Sequence, residues 1–154
     1  MGTRSTIALE FADGTVQQVY CHWDGYLEHN GKILAEHYSN PFILRDLIDL
    51  GGLSSLRRDI GEKHAFSQFD LPKEEVEAFV KRTENMCTFY ARDRGEKLVV
   101  HKFADFVDYL AHHAYEEYEY ILRNDNGVAV WFVDCGATGY VTLETALINE
   151  REAA

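Results

Sequence analysis

The densest run of reactive side chains is Tyr20-Cys21-His22-Trp23-Asp24-Gly25-Tyr26. A thiol, an imidazole and a carboxylate this close together are the parts from which a nucleophile, a base and an orienting acid are made. Successive strand residues point to opposite faces, so Cys21 and His22 cannot pair directly, whereas His22 and Asp24 share a face. Asp13-Gly14 lies between the β-rich runs 3–11 and 15–23 and predicts a β-hairpin. If those two residues form the whole loop, Ser5 stands opposite His22, Thr3 opposite Asp24 and Arg4 opposite Trp23. Ser5, His22 and Asp24 would then face one surface as in a hydrolytic triad. A regular strand supplies neither a sharp elbow nor oxyanion donors, and a one-residue slip removes the alignment. The expectation is therefore a hydrogen-bonded sheet end, with His22 and Asp24 its catalytic candidates, Trp23 and Tyr26 its binding candidates, and an Arg4–Trp23 cation–π contact.

Arg92-Asp93-Arg94-Gly95-Glu96 packs four charges around a glycine. Arg92 and Arg94, with Asp93 between them, suit a phosphate or a partner's carboxylate, and the same run reads equally as a solvated hairpin tip. Adjacent histidines such as His112 and His113 diverge on a helix and match no metal-ligand spacing, so they are expected to complement the helix C-terminus. Acids at Glu74, Glu75, Glu77, Asp105, Asp108, Glu116 and Glu117 form either a solvated face or, with two helices side by side, a phosphate-like display. No cofactor motif and no metal site is expected.

These residues need elements to position them. After the hairpin, the spacing of Leu27, Ile33, Leu34 and Tyr38 predicts a helix, and a second runs from about Pro41 to the Gly51-Gly52 stop. Leu53, Leu56 and Ile60 predict a helical turn or two and then a loop. Acids after Pro72 open a short helix through Val80. Residues 87–91 read as a strand that pairs with 97–101 across the charged turn. Phe103, Phe106, Val107 and Leu110 predict a helix to near His113. Strands 118–123 and 128–134 flank the turn Asn124-Asp125-Asn126-Gly127, and a helix from about Leu143 closes the chain. The fold class is α+β: a mainly antiparallel sheet opened by an N-terminal β-hairpin, with helices packed on one face.

The chain of 154 residues fits one domain, 1–154, with no linker or repeat. Its hydrophobic fraction of 46% predicts a folded core despite a net charge of −11. That charge opposes direct nucleic-acid binding, which needs clustered Lys and Arg, and suits solubility, docking on a basic surface or imitation of nucleic acid. No apolar run approaches a membrane span and no secretory segment follows Met1, which predicts a cytoplasmic protein. Cys21, Cys87 and Cys135 are odd in number and widely spaced, so they are expected to be reduced.

The order Gly2-Thr3-Arg4-Ser5, Tyr20 to Tyr26, His37-Tyr38, Leu53-Ser54-Ser55-Leu56 and Arg92 to Glu96 resembles a family of small uncharacterised proteins of tailed bacteriophages and prophages, its most specific piece being Cys-His-Trp-Asp-Gly-Tyr. The resemblance implies a setting: a small accessory protein made in the cytoplasm of an infected bacterium, of a kind that binds host enzymes or defence complexes. The leading expectation is therefore binding of a host protein with a basic surface, with host takeover or anti-defence as its concrete form. A small enzyme or ligand-binding domain, with a site joining the 20–26 and 92–96 motifs, is the alternative. A virion-associated protein that self-associates through Tyr115 to Tyr120 is the third, and the oligomeric state stays open.

Overall fold

The computed structural model describes residues 2–153. Among them are eight strands: β1 (Ser5–Glu10), β2 (Val16–Cys21), β3 (Leu53–Ser55), β4 (Thr88–Phe89), β5 (His101–Phe103), β6 (Tyr118–Asp125), β7 (Val128–Cys135) and β8 (Tyr140–Thr142). They form one sheet in the order β4-β3-β2-β1-β6-β7-β8, with β5 pairing β2 alongside. Most pairings are antiparallel; β1 with β6 and β2 with β3 run parallel. The helices are α1 (Lys32–His37), α2 (Pro41–Ile48), α3 (Val76–Thr83), α4 (Tyr90–Arg94), α5 (Phe106–His112) and α6 (Leu143–Ala153).

The α+β class, with a mainly antiparallel sheet opened by a hairpin, follows from two strong turns. At the first, Phe11 N–H bonds Thr15 O at 2.8 Å and Gly14 takes φ 91°. The loop is therefore the three residues Ala12-Asp13-Gly14, not Asp13-Gly14 alone. One extra loop residue moves the whole pairing by one, so Ser5 opposes Cys21 and Thr6 opposes Tyr20. This corrects the expected alignment of Ser5 with His22. At the second turn, Asn126 and Gly127 both have positive φ and join β6 to β7 in unbroken register from Tyr118–Cys135 to Asp125–Val128.

Strand alternation divides the sheet into two faces. Ile7, Leu9, Val19, Tyr120, Leu122 and Val133 point into the main core, where they meet Leu34 of α1, Leu44, Leu47 and Ile48 of α2, and Leu143 and Ala146 of α6. Burying each large aliphatic side chain contributes about 1.5–3 kcal/mol. Asn40 fixes the start of α2 by accepting from Phe42 N–H at 2.9 Å, with Pro41 in the first turn. The expectation of helices on one face is corrected for the short α5, which lies on the opposite face, where Tyr109 covers Ala8, Val16 and Ile121.

Two local readings are corrected. Leu53 to Ser55 is a strand, because its backbone completes the edge of β2 at Cys21 and receives β4 at Phe89. Residues 90–94 are a helical turn and not the end of a strand. The Asp93 carboxylate accepts the Phe89 N–H at 2.8 Å across the turn, and Gly95, at φ 75°, stops it in the left-handed conformation. The expected partner strand 97–101 is accordingly absent among the described residues, and His101–Phe103 pairs instead with β2.

Candidate functional site

The sheet end that carries residues 20–26 is fixed by backbone bonds to β3: His22 N–H to Leu53 O and Trp23 N–H to Ser54 O, both 3.0 Å. Asp24 then turns with φ 57°, and Gly25 sits so close to β1 that a Cβ there would stand 2.7 Å from the Ser5 Cβ. Tyr120 O–H donates to Gly25 O at 2.6 Å and locks the turn onto the core. On the core side, Ser5 is fully buried and its hydroxyl accepts from Asn30 at 3.2 Å. Burial pushes the neighbouring Cys21 thiol up to about 12, which keeps it protonated and unreactive at neutral pH. On the other side, Tyr20 and His22 pair through Oη and Nδ1 at 2.7 Å, and His22 meets the Trp23 ring edge to face at 4.7 Å. Ser5 and His22 thus lie on opposite faces, so Ser5, His22 and Asp24 form no triad. Trp23 and Tyr26 stay 42% and 40% exposed, while the Asp24 carbonyl accepts from Asn30 N–H.

The 92–96 run divides between core and surface. The Asp93 side chain is fully buried and accepts from His64 N–H at 3.1 Å, Phe89 N–H at 2.8 Å and Arg92 Nε at 3.0 Å. Arg92 reaches on to the carbonyls of Ile60, Gly61 and Cys87, and the His64 ring sits between the Ala65 and Cys87 carbonyls. Arg92 and Asp93 therefore pin the loop 57–65 to β4 and α4. Arg94 is exposed, lies 4.4 Å over the Phe66 ring and pairs with Glu96. Tyr90, which precedes the 92–96 run, comes near the Tyr20 end of β2: a Cβ at Gly52 would stand 3.6 Å from Tyr20 O and 3.7 Å from the Tyr90 ring. Burial raises both tyrosine hydroxyls, with Arg4 opposing the shift at Tyr20.

Register reveals a third cluster. Tyr20, Thr6, Glu119, Asp134 and Tyr140 are successive cross-strand partners, so five polar side chains form one rung on the face covered by α5. His113 stacks on Tyr109 at 4.3 Å and closes over the rung, with Nδ1 facing the Tyr109 carbonyl and Nε2 2.8 Å from Glu119. The carbonyl suits an N–H on Nδ1, which leaves Nε2 facing the Glu119 carboxyl across one hydrogen bond. Burial pushes the Glu119 carboxyl up, and His113 pulls against it. Asp134 is held by the N–H groups of Thr138 and Gly139, while Thr6 Oγ1 and Gln18 Nε2 are buried with no partner among the described residues. This is acid–base chemistry in kind, sealed beneath α5. Of the histidine pair, His112 bonds the Asp108 side chain at 2.7 Å, whereas His113 meets the last-turn carbonyl of Tyr109 and belongs to the interior.

The acidic candidates are dispersed. Glu74 and Glu75 are exposed in the turn before α3, which packs on the turns at 68–75. Asp105 caps α5 through Asp108 N–H, and Asp108 accepts from Ala104 N–H, so both carboxylates hold that helix together. Among the described residues no three His, Cys, Asp or Glu side chains converge as metal ligands, and no helix is long and apolar enough to cross a membrane. In comparisons with known proteins, no family model, curated protein or solved structure matches the chain.

Proposed function

We propose that this protein is a phage-type accessory protein that works by binding a basic surface of a host protein in the bacterial cytoplasm. One observation carries the reading. Residues 104–154, which supply α5, β6, β7, β8 and α6, hold ten acidic side chains and two basic ones. Of those two, Arg123 is already engaged by Glu10 at 3.1 Å. Glu117, Glu144, Glu150 and Glu152 are exposed against one exposed cation of the segment, Arg151, so this part of the molecule carries an excess of negative charge. Of the ten, Glu119 and Asp134 are buried and bonded internally, so the exposed carboxylates carry the reading, and the resemblance to phage proteins supports it. Host takeover or anti-defence action, including imitation of nucleic acid by these carboxylates, is its concrete form.

The test is capture from bacterial lysate on the immobilised protein, with and without Glu→Lys at positions 117, 144, 150 and 152. That variant moves the net charge from −11 to −3. A host protein retained by the wild type, released by salt and lost by the variant is the expected result. Capture that survives reversal, or no capture at all, overturns the reading.

The approach of Tyr90 to Tyr20 favours a second reading, a small-ligand or enzyme site at Tyr20, His22 and Tyr90. It predicts a small molecule retained by the native protein in mass spectrometry and lost in His22→Ala.

A further inference from the structure

At the end of the sheet opposite residues 20–26, the tips of the two hairpins and the start of α2 enclose a cleft of ≈ 470 Å³. This lies within the range of about 300–1,000 Å³ usual for small-molecule sites. Its floor is apolar, built from Leu9, Leu122 and Ala129, and Phe11 and Phe42 form its walls. Phe42 is 69% exposed although it stands beside the core residue Leu44, so a large aromatic surface faces the cleft and solvent. Together with the floor it offers an apolar surface that an aliphatic chain can cover.

The polar groups of the cleft are unequal. Glu10 is satisfied by Arg123 Nη2 and by Asn124 N–H, both at 3.1 Å, so that carboxylate and that guanidinium cancel. Arg45 is different. Among the described residues it has no ion-pair partner, and it lies over the Phe42 ring at 5.7 Å. In a chain of net charge −11, an uncompensated guanidinium beside an apolar floor is a local reversal of sign. Guanidinium also matches the two oxygens of a carboxylate in plane, a fit an ammonium lacks.

We infer that this cleft binds a monocarboxylic acid with a medium-length aliphatic chain, the chain lying along Leu9, Leu122 and Ala129 and the carboxylate meeting Arg45. The hydrophobic floor supplies most of the affinity and Arg45 supplies the selection for an anion. The site is independent of the acidic surface described above, and either can fail without the other.

The test uses the full chain and decanoate, with decanol and decyltrimethylammonium as matched neutral and cationic chains, followed by isothermal calorimetry and amide NMR shifts. Decanoate is expected to bind with shifts at Leu9, Leu122 and Ala129, and more tightly than either control. Arg45→Glu, at an exposed position, is expected to weaken decanoate roughly tenfold and leave decanol unchanged. Ala129→Phe, which fills the floor, abolishes binding of both; its fold is checked by circular dichroism, and Arg45→Glu stands as the independent arm if it fails to fold. Absence of decanoate binding to the folded wild type overturns the inference. So does equal affinity for the three chains, or an Arg45→Glu variant that binds decanoate as well as the wild type.

Discussion

Replacing Asp93 by Ala removes the acceptor that joins three segments of the chain. Its carboxylate, fully buried, takes hydrogen bonds from His64 N–H, Phe89 N–H and both Arg92 Nε and Nη2, and lies 3.7 Å from the His64 ring. Without it, two buried backbone N–H groups lose their acceptor and the largely buried Arg92 charge loses its counter-charge. Breaking one side of a buried pair costs about 3–5 kcal/mol, because the remaining charge is left uncompensated. That is a large share of the roughly 5–15 kcal/mol that holds an ordinary domain together. One neighbour sets the scale. Arg94→Ala removes only an exposed pair with Glu96 and a ring contact, and is expected to cost about 1 kcal/mol or less. Urea unfolding followed by circular dichroism, with wild type, Asp93→Ala and Arg94→Ala measured side by side, reads the difference directly. If Asp93→Ala unfolds within about 1 kcal/mol of wild type, the reasoning fails, and Asp93 is free to serve a partner.

Three other outcomes follow from the same geometry. Tyr120→Phe leaves the Gly25 carbonyl without its buried donor and is expected to lower stability by about 1–2 kcal/mol in the same assay. Because burial raises the Glu119 carboxyl, the folded state binds that proton more tightly than the unfolded chain; stability is therefore fullest below the ordinary carboxylate range and declines as pH rises through the raised value. Glu119→Gln should flatten that decline in a pH series of melting temperatures, and an unchanged profile would contradict it. Native-state labelling with a disulfide reagent should modify the half-buried Cys135 first, with Cys21 and Cys87 protected until the protein unfolds; early reaction of Cys21 would show that the sheet end opens.

Long elements with local signals were legible in the sequence: both hairpins, α2 with Pro41 in its first turn, and the closing α6. The short strands were not. β3 and β4 hold so few residues that no alternation develops, and their existence depends on an open edge at Cys21 that only the assembled sheet provides. The register of the first hairpin turned on whether Ala12 belonged to strand or loop, and Asp-Gly allows both. Tyr20 to Tyr26 did read correctly as a sheet end, but its partners Ser54, Tyr90 and Tyr120 are remote in sequence. The His64–Asp93 contact spans 29 residues of separation and no local pattern announces it. His113 and Glu119 carried a faint signal, since Glu119 alternates into the face opposite Tyr118 and Tyr120, where a charge needs a partner. The cleft beside Arg45 joins three segments and had none.

In the proposed function, exposed carboxylates of residues 104–154 dock electrostatically on a basic partner. The most direct measurement of that docking is the affinity of the captured host protein as a function of salt, for wild type and for the Glu→Lys variant at 117, 144, 150 and 152. Affinity that falls steeply with salt for the wild type, and weakly from a lower starting value for the variant, is the predicted result. A salt-independent affinity, equal in the two proteins, would contradict the account.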